Sequence, residues 1–150
     1  MLIRGLAPTW GLTVVRMVMG IILIVASYEK FSAGGVFGFI PAVTAFGFPV
    51  PQLFGVFVPC LELIGGLLML TGLGARYVAV LFICEFTVNA FVLKVPRQPP
   101  FGGWDSMRID LMMLAAAIAV ALCGPGELAL ENLILRRRPA RQMQSAVQYR

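Results

Sequence analysis

Glu62-Leu63-Ile64-Gly65-Gly66-Leu67-Leu68-Met69-Leu70-Thr71-Gly72-Leu73-Gly74-Ala75-Arg76 sets a carboxylate inside an apolar run and closes on a glycine-rich turn with one arginine. It reads as half a membrane span and its exit. A carboxylate near the middle of a span costs about 2.5–3.5 kcal/mol on insertion scales, so Glu62 must be paired, protonated or turned toward a polar interior. That makes it a functional-site candidate. Gly65 and Gly66, one helical turn later, remove bulk on the same side and admit either a neighbouring helix or a flat ligand.

The rest of the chain supports a membrane setting. Apolar residues make up 59% of it and charged residues 13%, with a mean hydropathy of +0.89; soluble domains hold about half apolar and about a quarter charged residues. Its 150 residues allow four spans of about 20 residues with short connections. The expected fold is all-α: a membrane four-helix bundle with a short re-entrant or interfacial helix between spans one and two, and an amphipathic C-terminal helix. Histidine is absent, which excludes histidine haem ligation, the usual zinc sites and histidine acid–base chemistry. Cys60, Cys84 and Cys123 are single and widely spaced, which argues against a thiol–disulfide relay. No metal site and no covalently held cofactor is implied.

Before Glu62, a lead with Arg4, Pro8 and Trp10 precedes a first span over about 12–28. A cleaved signal peptide is the rival reading, but the apolar run is longer than a signal core and contains Arg16. On a helix, Thr13, Arg16, Gly20, Ser27 and Lys30 share one face. Arg16 could snorkel to the membrane edge or meet a buried partner. The apolar piece from Val36 to Phe48 is too short to cross and carries Phe37, Phe39, Phe46 and Phe48. It is expected to lie on the outer side as a packed loop or as a lid over a lateral pocket. The second span, about 52–71, puts Gly55, Pro59, Glu62, Gly65, Gly66 and Met69 on one face, with Pro59 depriving the Gly55 carbonyl of its usual donor.

Beyond the turn, the third span, about 77–93, carries Glu85 and Asn89 one turn apart, while Thr87 faces away and can bond to its own backbone. If Glu62 and Glu85 face each other, at least one of them is expected to hold its proton more tightly than a free carboxyl unless Arg16 comes between them. Breaker residues fill Lys94 to Trp104. The fourth span, about 105–123, aligns Ser106, Asp110, Ala117, Ala121 and Gly124, with Arg108 turned away toward headgroups and Asp110 within expected reach of Lys30. The membrane domain thus runs over 1–135, and 136–150 is a basic tail.

Seven of the twelve basic residues, Arg4, Arg76, Arg136, Arg137, Arg138, Arg141 and Arg150, fall on the side shared by both termini, against Lys30, Lys94 and Arg97 in the opposite loops. Both termini are therefore expected to be cytoplasmic. The tail serves as a topology determinant and needs no nucleic acid.

Three pieces in this order resemble the DoxX family of small four-span membrane proteins. They are Arg16 to Gly20 leading to Lys30-Phe31, Glu62 to Leu73 leading to Arg76, and Gly124-Pro125-Gly126 to Glu131. The resemblance runs from about Val15 to Leu133. Where a His-Gly-like pair is common in the family, Ala26 and Ser27 stand here. The resemblance implies a link to quinone-coupled membrane oxidoreductases and a bacterial-type cytoplasmic (inner) membrane.

Three functions then compete. In the first, the chain is an oxidoreductase-complex subunit holding quinone or quinol, with Arg16, Lys30, Glu62, Glu85, Asn89 and Asp110 as ligand-binding or proton-relay candidates and Gly20, Gly65 and Gly66 as close-packing positions. It has no redox centre of its own, so a membrane or peripheral redox subunit is an expected partner, besides the lipid bilayer and a possible second copy. In the second, it is a non-enzymatic assembly or anchoring subunit whose charges form a clasp, Arg16 with Glu62 or Glu85 and Lys30 with Asp110. The third is a small proton-coupled carrier.

Overall fold

The computed structural model describes residues 7–32, 34–94, 104–126 and 128–130, with the side chains of 7–9, 105 and 106 set aside. Helix α1 spans Ala7–Ser32, α2 Ile40–Ala45, α3 Pro51–Thr71, α4 Ala75–Thr87 and α5 Trp104–Cys123. A 3-10 turn, Gly35–Phe37, precedes α2, and α4 runs on as a π-helical segment, Val88–Lys94. The basic tail, most of the expected C-terminal amphipathic helix, Arg4 and the 95–103 connection lie outside the described residues. Trp10–Ser32, Pro51–Thr71 and Ala75–Lys94 are long and apolar enough to cross a membrane. The 20-residue α5 is the fourth long helix of the bundle.

The helices pair as α1 with α3 and α4 with α5, whereas α3 and α4 touch only over a short stretch. The α3 face read from the sequence is the one buried: Gly55, Pro59, Glu62, Gly65, Gly66 and Met69. α1 and α3 cross where Gly20 meets Gly66. A Cβ on Gly20 would stand 2.8 Å from the Gly66 carbonyl oxygen, and one on Gly66 would stand 2.9 Å from that of Gly20. Backbone thus lies on backbone, the small-residue contact that membrane helices use in place of a hydrophobic driving force. Because the obstacle is main chain, Gly20→Val must push the helices apart. The expected loss is about 1–3 kcal/mol, read as a lower unfolding midpoint; an unchanged midpoint would mean that the crossing is looser than this.

Gly65 faces the other way, toward α4, where Phe82 Cζ lies 2.5 Å from its Cβ direction. Phe82 is fully buried and belongs to a core with Met19, Leu23, Met69, Ala79, Ala117 and Val120. Both glycines of the opening stretch therefore serve helix packing. α3 ends at Gly72, whose left-handed φ of 73° lets its N–H return to the Leu68 carbonyl. α2 docks on α3 in the same backbone-close manner, since a Cβ on Gly55 would lie 2.8 Å from Ile40 Cα. Val50, between two prolines, holds a left-handed φ of 51° at the start of α3, an unfavourable conformation for a β-branched residue.

Candidate functional site

The α1–α3 pairing is antiparallel, and its contacts keep one register. Arg16 meets Leu70, Gly20 meets Gly66, and the Ser27 hydroxyl donates to the Pro59 carbonyl at 2.8 Å. Serine thus adds a donor from α1 to the carbonyl of the proline within α3. One turn further along α1, Lys30 reaches back to Glu62, with its ammonium 2.5 Å from Oε1 and also in contact with Oε2. The Glu62 side chain is 5% exposed and that of Lys30 21%. The Lys30 ammonium also lies 5.3 Å from the centre of the Phe39 ring, a cation–π distance.

This register corrects the expected partners. Arg16 lies level with Met69 and Leu70, about two turns from Glu62 on α3, or roughly 10 Å at 1.5 Å per residue. Its guanidinium donates to the carbonyls of Met69 at 2.5 Å, Leu70 at 3.3 Å and Leu128 at 3.3 Å. It meets neither carboxylate. Lys30, committed to Glu62, is not the partner of Asp110. That position falls to Lys94, whose Nζ lies 2.6 Å from Asp110 Oδ2 in an ion pair.

Lys94 is the residue that sequence reading missed. On a continuous α-helix it would stand about two and a half turns beyond Glu85, on the opposite face. The π-helical bonding of Val88–Lys94 reduces the turn count and brings it back to the side of Glu85 and Asn89. The five-residue step from Asn89 to Lys94, the π spacing, is the only signal in the sequence. Thr87 bonds back to the Ile83 carbonyl at 2.6 Å as read from its position.

Glu85 completes the cluster. It lines the same cavity as Glu62. Both of its oxygens are shut off from solvent, and neither receives a hydrogen bond from a nitrogen or hydroxyl donor among the described residues.

Lys30, Glu62, Glu85, Asn89, Lys94 and Asp110 all line one cavity of about 550 Å³. This is the size of a small-molecule site, in which apolar walls supply area and a few polar groups fix orientation. The walls here include Phe39, Phe46, Phe48, Phe54 and Phe57, and Phe48 meets Phe54 edge-on at 4.9 Å. Of the phenylalanines around α2, Phe39, Phe46 and Phe48 thus line the pocket, whereas Phe37 is 68% exposed and lies outside its lining. Arg16, Gly20, Gly65 and Gly66 lie outside its lining.

Comparison with known proteins agrees with this architecture. The DoxX family model matches residues 11–95. A Bacillus subtilis (strain 168) protein named "Putative oxidoreductase CatD" is 32% identical over 126 residues, covering 84% of this chain and 88% of that protein. No solved structure matches the chain.

Proposed function

The chain belongs to the DoxX family of integral membrane proteins, and on that premise we propose that it is a membrane subunit of an oxidoreductase complex whose cavity binds a quinone or quinol headgroup. The observation that carries this reading is Glu85, a carboxyl group with no nitrogen or hydroxyl donor among the described residues, set in the wall of an aromatic cavity beside the Lys30–Glu62 pair. Lys30 and Asn89 can donate to a carbonyl oxygen, and the Glu62–Glu85 pair can hold and yield a proton. A bound quinone would supply two-electron, two-proton chemistry that side chains lack. The name of the Bacillus subtilis relative supports the redox association. A partner bearing a redox centre is part of the proposal, as is a topology in which α5 also crosses and the basic turn and tail face the cytoplasm.

The proposal is tested on the full chain purified in native lipid discs, with bound quinone extracted and quantified. Wild type is expected to carry about one quinone per chain. Glu85→Leu, which removes the donor and acceptor without enlarging the side chain, is expected to lower occupancy at least about tenfold, a difference of 1.4 kcal/mol. Quinone absent from wild type, or retained fully by Glu85→Leu, would sink the reading.

A second reading is favoured by the two ion pairs themselves. Lys30–Glu62 ties α1 to α3, and Lys94–Asp110 ties the π segment to α5, so each closes one of the helix pairs. A clasp of this kind would serve an assembly subunit without any ligand. It leaves the placement of Glu85 without a purpose.

A further inference from the structure

Building on the quinone reading, we propose that the ligand is lipid-borne: its hydrocarbon tail lies in the cleft between α3 and α4, bounded by Phe57, Leu61, Leu81 and Cys84, and it reaches the cavity from within the bilayer. Water-soluble quinones would then be poor ligands.

The inference comes from which walls of the cavity are closed and which are open. At the α2 end, Ile40 sits on Gly55, and Phe39, Phe46 and Phe48, all partly buried, line the cavity. Lys30 and Lys94, which also line the cavity, are both held in ion pairs. At the α3–α4 wall the closure stops. These helices meet where Gly65 receives Phe82, and away from that contact they touch little. Phe57 and Leu81 line the cavity yet are 51% and 50% exposed, and Cys84 is likewise both lining and exposed. A residue that borders a cavity and the outer surface at once marks the rim of an opening.

The chemistry of that rim decides what passes it. Its residues bear no charge and no hydroxyl, and they lie midway along helices whose outer surfaces meet lipid. A polar ligand arriving from water would find no donor to replace its hydration there, whereas a hydrocarbon chain loses nothing. The cavity is therefore graded, with ionisable groups deep inside and apolar walls toward the bilayer. Its volume of about 550 Å³ exceeds what a bare quinone ring needs. An amphipathic molecule with a carbonyl-bearing head and a long tail fits both ends at once.

The test compares two probes on the full chain in lipid discs. One is a dimethoxy-methylbenzoquinone without a tail; the other is the same ring with a ten-carbon tail, its concentration referred to the membrane phase so that partitioning is removed. Wild type is expected to bind the tailed probe at least about tenfold more tightly. Leu81→Trp, which fills the rim, should abolish that preference while leaving the tailless probe within about twofold. Val80→Trp, at a lipid-exposed position of α4 outside the lining, should leave both unchanged and controls for folding. Equal binding of the two probes by wild type, or equal weakening of both by Leu81→Trp, would overturn the lateral route. Binding of neither probe by wild type would overturn the quinone reading itself.

Discussion

Arg16→Leu should keep the protein from accumulating in the membrane, with Arg16→Lys recovering only a minor part. Arg16 is 1% exposed and the largest fully buried side chain among the described residues. Two of its acceptors, Met69 and Leu70, lie in the last turn of α3, where carbonyls have no intrahelical donor and the helix dipole is negative. Its third acceptor, Leu128, lies beyond α5, so one guanidinium fastens the start of α1, the end of α3 and the segment after α5. Hydrogen bonds to a charged group contribute about 1.5–3 kcal/mol each. Losing three, with little water available to replace them, removes several kcal/mol from a total of about 5–15. Lysine carries the charge but not the planar fork that spans acceptors on two segments. Abundance in the membrane fraction and the thermal midpoint of purified protein measure the effect; an Arg16→Leu protein that accumulates and melts like wild type would refute the role. Gly72 is bound to the same arrangement, since a Cβ there would overlap the Arg16 guanidinium.

This use of Arg16 shows what the sequence could and could not disclose. Helical periodicity identified the inward face of α3 residue by residue, because burial of a helix in lipid follows composition and spacing alone. It also placed Arg16, Gly20 and Ser27 together on α1, and all three are buried. Periodicity within one helix does not state the register between two. With Gly20 against Gly66, Arg16 faces carbonyls and Lys30 faces Glu62, whereas a shift of two turns would have given the Arg16–Glu62 pair expected from charge alone. The second gap has a different origin. The sequence reading ends the third span at about 93 and puts Lys94 in the breaker-rich loop, whereas the helix runs on in π form through Lys94, so Asp110 is left to Lys30. The glycine pair was ambiguous in principle, because clearance for a helix and clearance for a ring look the same until the neighbour is known. Here the neighbours are Gly20 and Phe82.

Lys30→Met should destabilise the protein more than the double substitution Lys30→Met/Glu62→Leu. The single change strands a carboxylate whose side chain is 5% exposed in a bundle that offers it no other cation within the α1–α3 register, and breaking such a pair costs about 3–5 kcal/mol. The double change replaces both partners by apolar groups of similar length, which in protein interiors is often neutral or stabilising. Unfolding midpoints of wild type, both single variants and the double variant close a cycle that isolates the pair. If Lys30→Met melts like wild type, the pair is weak, or Glu62 is rescued by a proton from the Glu85 side; Glu62→Gln then separates these outcomes, because a neutral amide needs no such proton. The same double variant also sorts the functional readings. A stable double variant that has lost its quinone shows that the charges are kept for the ligand, since stability does not need them. A stable double variant that still holds quinone at wild-type occupancy reduces the pair to a clasp and leaves Glu85 and Asn89 to hold the headgroup.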